Sequence, residues 1–359
     1  MSLNISVPAI RGYQAQKEFF TLICPLDVLC KFFDFSNHDI PEEFRAQRII
    51  NEKRIPEIAN YMLNNPDSYV FSSITASIDG NYDFVPISEN QPDIGVLKID
   101  MSSNLLINDG QHRKAAIDEA LKENPSLKNE HISVVLYIDQ GLESSQQMFS
   151  DLNRHAVKVS KSSSILYNHR DNEILTMKRY LTTNMKFYNF LDKSNDSIAQ
   201  KSNKLFTFSN FYKAFRISFG NKNTTADEKL QNFVFAYWDY LTTSFNEWSF
   251  VLNGEVSAYH ARQSSVAVYG IILEALGKLC HYLYSEKIDN WKQYVDALNK
   301  INWQKTNLED WANRCILENG NMHKSNTFID LSYYRIKDLI GLPLTDAESI
   351  KNAKLQKDV

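Results

Sequence analysis

Five consecutive residues, Asp109-Gly110-Gln111-His112-Arg113, bring a carboxylate, a glycine, an amide, an imidazole and a guanidinium together. They lie between an apolar run, Leu105-Leu106-Ile107, and residues at helical spacing, Ala115, Ala116, Ile117, Ala120 and Leu121. That order predicts strand, tight turn and helix start, with Gly110 free to take a positive φ. Unpaired N–H groups at a helix start attract negative charge, so the turn is shaped to hold an anion. Arg113 would add a permanently charged fork for phosphate oxygens, and His112 a donor or proton carrier near neutral pH. Asp109 would either order Arg113 or hold a divalent cation. A free nucleotide and a DNA backbone both present such oxygens. The spacing alone equally suits an ordinary turn whose arginine caps a neighbour.

A second group of residues is electrostatic. Between Leu152 and Lys222 stand thirteen Lys and Arg against four Asp and Glu, inside a chain whose formal net charge is −4. A basic middle in an acidic protein predicts a face for a polyanion. Within it, Lys201 to Arg216 interleaves bases with aromatic residues. The rings are expected in the core, whereas Lys158, Lys161, Lys201, Lys204, Lys213 and Arg216 are expected to meet DNA phosphates.

The Asp-Gly-Gln-His-Arg run resembles the signature of the DGQHR-domain proteins, whose best-known branch is the DndB family of bacterial DNA phosphorothioate modification systems. The stretch Met148-Phe149-Ser150-Asp151-Leu152-Asn153-Arg154-His155-Ala156-Val157-Lys158-Val159-Ser160-Lys161-Ser162 is similar to the segment that follows it in that branch. The resemblance implies a relation to the ParB and sulfiredoxin fold, a small α+β domain whose equivalent turn holds nucleotide phosphates. It further implies that Asn153 and Arg154, at the end of a helix from Glu143, face the same pocket as Asp109, Gly110, Gln111, His112 and Arg113. Sulfiredoxin has a Cys where Gln111 stands, which argues against its thiol chemistry. ParB proteins carry a Glu-Asn pair where this chain has Asp151-Leu152-Asn153-Arg154.

The 359 residues suffice for two ordinary domains, and 43% hydrophobic with 12% aromatic content suffices to build their cores. No apolar run is long enough for a membrane span, and Met1 to Arg11 has no leader pattern, so the cytoplasm is expected. Cys24, Cys30, Cys280 and Cys315 make no disulfide framework, and Cys24 and Cys30 form no C-x-x-C pair. No metal site is expected. The tripeptide His169-Arg170-Asp171 copies a protein-kinase loop but lacks its companion motifs, and there is no Walker loop or H-E-x-x-H.

The elements that must carry these residues are as follows. Residues 1–36 predict one or two edge strands. Glu42 to Leu63 predicts a helix with Pro56 in its first turn. Tyr69 to Ile78 and Tyr82 to Ile87 flank Asp79-Gly80-Asn81 and predict a β-hairpin. Val96 to Asp100, Leu105 to Ile107 and His131 to Ile138 predict strands. Beyond about residue 165 strand patterning fades. Helices are expected over Asn172 to Leu191, after capping boxes at Thr225 to Glu228 and Thr306 to Glu309, centrally over Ser264 to Tyr284, and over Trp291 to Ile301 and Thr327 to Ile340.

The expected fold is therefore α+β: a ParB/sulfiredoxin-like mixed-sheet domain over 1–165, a helical domain over 166–346, and a charged tail over 347–359. The expected function is that of a DNA-binding accessory and regulatory protein, a repressor of the modification operon, contacting double-stranded DNA and other proteins of the system. A homodimer would match a two-fold operator. The alternative is a nucleotide hydrolase acting on ATP with Mg, with Asp109 and His112 as its catalytic residues.

Overall fold

Alternating apolar residues on consecutive strands lay out the first half of the molecule. In the computed structural model, which describes residues 4–34, 51–100, 102–138, 147–148, 151, 159–220, 227–317 and 319–355, seven strands form one mixed sheet. They are β1 (Asn4–Gln14), β2 (Lys17–Pro25), β3 (Ile74–Asp79), β4 (Tyr82–Ser88), β5 (Gln91–Asp100), β6 (Asn104–Asp109) and β7 (His131–Ile138), in the order β4-β5-β1-β2-β7-β3-β6. Only β3 and β7 run parallel. Every second residue points to one face: Val7 and Ala9, Phe20 and Leu22, Ile132, Val134 and Leu136, Ile74 and Ala76, Leu105 and Ile107 are buried there. Three helices close that face, α1 (Leu26–Asp34), α2 (Ile55–Leu63) and α3 (Gln111–Glu123), through Leu29 and Phe33, Ala59 and Met62, and Ala116, Ile117 and Ala120. Each large side chain so buried contributes about 1.5–3 kcal/mol.

Two expectations fail here, for reasons of backbone geometry. β1 and β2 lie in the middle of the sheet rather than at its edge. Their turn, Ala15-Gln16, has positive φ at both residues (49° and 65°), the twist a two-residue hairpin needs but with side chains that do not announce it. Conversely, β3 and β4 do not pair across Asp79-Gly80-Asn81. β3 pairs with β6 and β7, while β4 pairs with β5 at the opposite edge. Gly80 takes φ 148°, far from the roughly +60° of a primed two-residue turn, so the hairpin geometry is absent.

The chain divides into two compact units, Met1–Val157 and Lys158–Val359. Among its described residues the second is mostly helical, with a short parallel pairing of Leu191–Asp192 with Phe206–Thr207 and a few isolated bridges. At its centre the helix Gly270–Ser285 buries Ile271, Ile272, Leu273, Leu276 and Leu279, and it packs on the helices Phe208–Ser218 and Asn326–Leu339. Trp238, Trp248 and Trp311 are fully buried around it.

Several helix limits differ from expectation. The central helix begins at Gly270 rather than Ser264, because Ser265 and Val266 bridge instead to Gln304 and Trp303. Asn184 breaks the expected Asn172 to Leu191 helix by capping a second one, Met185–Asn189. The first capping box is displaced, since Asp227 caps Glu228–Ser244. The second yields only one turn, Leu308–Trp311, after which Ala312 is extended and Asn313 takes a positive φ of 57°. Of the charged tail expected over 347–359, the residues up to Leu355 belong to a helix, Asp346–Leu355, held by Glu348 to Lys337 (2.5 Å) and by Lys351 to Asp330 (2.6 Å), and residues 356–359 lie outside the described residues. Among the described residues no helix is long and apolar enough to cross a membrane.

Candidate functional site

The turn from β6 into α3 has the predicted geometry. Gly110 takes φ 111°, and α3 begins at the next residue with no side-chain cap from Gly110. A Cβ at Gly110 would lie 3.0 Å from Ile74 and 3.2 Å from the Arg113 guanidinium, so the position requires glycine twice over. β6 reaches the turn through a β-bulge opposite Thr75 and Ala76. The bulge turns Asn108 fully inward, where its amide nitrogen donates to the Met148 sulfur at 3.2 Å.

The polar side chains of the turn are engaged with the protein itself. Arg113 Nη2 donates to Asp109 Oδ2 at 2.7 Å. Its Nη1 donates to the carbonyls of Ser72 (2.7 Å) and Ser73 (3.1 Å) and to the Ser72 hydroxyl. Arg113 thus bolts the helix start to the segment entering β3, and only 15% of its side chain is exposed, against 51% for Asp109. Gln111 is buried and donates to the Ile107 carbonyl at 2.8 Å. His112 Nε2 accepts the Asn51 backbone N–H at 2.9 Å, so that nitrogen carries no proton. Gly110 and Gln111 are buried, so the residue of the turn that is most exposed is Asp109. Ser72, Ser73, Asn51 and Asn108 complete the arrangement. Asn108 directly precedes the turn, but Ser72, Ser73 and Asn51 meet it only through the tertiary fold, so nothing in their local sequence pattern points to it.

Asn153, Arg154 and Lys158 lie outside the described residues, as does nearly all of the helix expected from Glu143. Of that helix Gln147, Met148 and Asp151 are described, and their backbone is helical.

In the helical unit the aromatic residues of the basic segment are core: Phe206, Phe208, Phe211 and Phe215 are at most 1% exposed. The bases divide into two sets. Lys178 is spent on the carbonyls of Leu166 and Asn168, each at 2.6 Å, and burial lowers its pKa. Burial, and then the charge of Lys204, lowers that of Lys193, whose ammonium lies 3.6 Å from the centre of the Tyr188 ring. Lys204 donates to the Asn189 carbonyl and Arg216 pairs with Glu173 at 2.8 Å. Lys161, Lys201 and Lys213, by contrast, are exposed and form no ion pair among the described residues. Lys213 and Arg216 share the outer side of the helix Phe208–Ser218, three residues apart. The His169-Arg170-Asp171 tripeptide is a helix start: Asp171 caps Asn172–Thr183 by accepting from Glu173 and Ile174.

The four cysteines are buried. Burial pushes the Cys24 and Cys315 thiols up to about 12 and that of Cys280 still higher. Among the described residues no three His, Cys, Asp or Glu side chains converge as metal ligands.

The profile of the DndB family, described as DNA-sulfur modification-associated, matches residues 7–343 of the chain. No curated protein and no solved structure matches it. A match over nearly the whole length spans both units, and the chain belongs to the DndB family.

Proposed function

We propose, from membership of this DNA sulfur modification family, that the chain is a DNA-binding regulatory subunit of the modification system, repressing its operon by occupying the promoter. The observation that carries this reading is the set of exposed cations with no ion pair among the described residues, Lys161, Lys201 and Lys213, on a protein of net negative charge. Cations of this kind bind a phosphate backbone by releasing its condensed counter-ions, whatever the base sequence. The turn at Asp109 to Arg113 supports it as a second phosphate contact. Its helix start has no side-chain cap, and the pair of Asp109 and Arg113 holds that start in place. In this reading His112 is the contact residue of the turn, Asn153 and Arg154 are contact residues by the family resemblance, and Gly110, Gln111 and Arg113 position the turn.

The test is a titration of wild type and of Lys201→Ala/Lys213→Ala with duplex DNA at two salt concentrations, with and without ATP. Weaker binding by the variant and no nucleotide product are the expected results. Unchanged affinity in the variant, or steady turnover of ATP lost in His112→Ala, would transfer the assignment to a nucleotide hydrolase.

A further inference from the structure

The helix Asp346–Leu355 adds nothing to the core it lies on. Ile350 is 73% exposed, Ala347 and Ala353 are exposed as well, and the hydrophobic core of the helical unit ends before them, at Leu342 and Leu344. The preceding helix, Asn326–Leu339, closes without it. Gly341 takes φ 76°, and the Leu342 and Gly341 amides donate to the carbonyls of Lys337 (2.8 Å) and Asp338 (3.1 Å), which completes a helix end of the Schellman kind. Clefts of about 500 and 340 Å³ flank the terminal helix, one lined by Glu348 and Lys351 and the other by Asn352. The family profile stops at residue 343, just short of it.

Among the described residues, two charged side chains tie it down. Glu348 accepts from the Tyr333 hydroxyl at 2.7 Å and pairs with Lys337 at 2.5 Å, while Lys351 reaches Asp330 at 2.6 Å. Both partners lie out of water beneath the helix. The Lys337 side chain is 0% exposed, with its ammonium 3.4 Å from the centre of the Tyr282 ring, and Asp330, 8% exposed, is shared with Lys278 at 2.8 Å. A helix of ten residues has little stability in water by itself, and one whose apolar side chains stay exposed gains little hydrophobic stabilisation from docking. Its hold therefore depends on these polar contacts, which are lost together when it lifts. The fold beneath keeps its own core and its own helix end.

We propose that the helix Asp346–Leu355 is a releasable strap, which opens as a unit while the rest of the helical unit stays folded, and that in its closed position Glu348 fills a slot formed by Lys337, Tyr333 and Tyr282. Opening vacates the slot and uncovers an ammonium and a phenol hydroxyl, the two donors that hold the Glu348 carboxylate when the strap is shut. Neither the turn at Gly110 nor Lys161, Lys201 and Lys213 enters this inference, so it stands or falls separately from the function proposed above.

The experiment is hydrogen exchange read by mass spectrometry on the full chain, wild type and Glu348→Gln/Lys351→Gln, together with acetylation of lysines by acetic anhydride. Glutamine removes the charge but still accepts the Thr345 amide, as in a capping box, so the helix keeps its start, and circular dichroism checks the fold. In wild type the amides of residues 349–355 are expected to exchange faster than those of the helix Gly270–Ser285. In the variant they should exchange faster again by about tenfold or more, with the central helix unchanged. Lys337 should be acetylated faster in the variant by a similar factor. Exchange of the two helices in step in wild type, an unchanged rate for the terminal helix in the folded variant, or equal acetylation of Lys337 in both proteins overturns the proposal.

Discussion

Arg113 and Asp109, one helical turn apart, face each other at 2.7 Å across the start of α3. The pair neutralises the two strongest charges of the turn, and it ties β6, α3 and the segment entering β3 into one unit. Arg113→Ala should therefore cost stability before it costs anything else. Removing its bonds to the Ser72 and Ser73 carbonyls is expected to lower unfolding free energy by about 1.5–3 kcal/mol, the usual range for hydrogen bonds from a charged donor. Asp109→Asn, at a half-exposed site, should cost under about 1 kcal/mol. Urea unfolding measures both, and an Arg113→Ala protein as stable as wild type would refute the bolt.

Gly110→Ala puts a side chain at φ 111° and a methyl 3.0 Å from Ile74. A loss of about 1–3 kcal/mol is expected from the backbone alone. The same denaturation series reads it, and a neutral substitution would show that the turn relaxes.

Glu173 holds Arg216 at 2.8 Å while Lys213, on the same helix as Arg216, has no carboxylate partner among the described residues. If this side meets DNA, Lys213→Ala should flatten the log-log salt dependence of binding by about 0.9. Glu173→Gln should steepen it by releasing Arg216. Slopes measured by fluorescence anisotropy over a salt series decide, and two unchanged slopes would exclude the helix from the interface.

The terminal helix is latched by Glu348. Burial pushes its carboxyl pKa up, but hydrogen bonds from Lys337, the Thr345 amide and Tyr333 outweigh that and hold it below the ordinary 4.5. A depressed carboxyl contributes stability that is present above its unfolded value and lost as pH falls through the folded one. Melting temperature should thus fall below pH 4.5 more steeply in wild type than in Glu348→Gln, while near pH 7 the variant should be the less stable. Parallel curves would remove the latch.

No native cysteine should react with an aromatic disulfide reagent at pH 8, because all four are buried and Cys24 and Cys315 titrate only at about 12. Four thiols should appear on unfolding. A fast-reacting native thiol would contradict the packing around it.

The amino-acid sequence by itself determined what is local. It placed Gly110 at a positive φ between a strand and a helix, ran β7 from His131 to Ile138, and kept Phe206 to Phe215 in a core, because periodicity and backbone sterics act over a few residues; the helix expected from Glu42 begins only at Ile55, where Pro56 takes its first turn. It also carried the family resemblance, through two short motifs in the right order. Only the tertiary structure decided which strands became neighbours. Asp79-Gly80-Asn81 has the better hairpin composition, yet Ala15-Gln16 makes the hairpin. Burying one continuous apolar face across seven strands outweighs the strain of two side chains at positive φ. Tertiary structure likewise decided what Arg113 does. A guanidinium next to a glycine turn suits phosphate on paper, but the Ser72 and Ser73 carbonyls arrive through the sheet from some forty residues away and take its donors first.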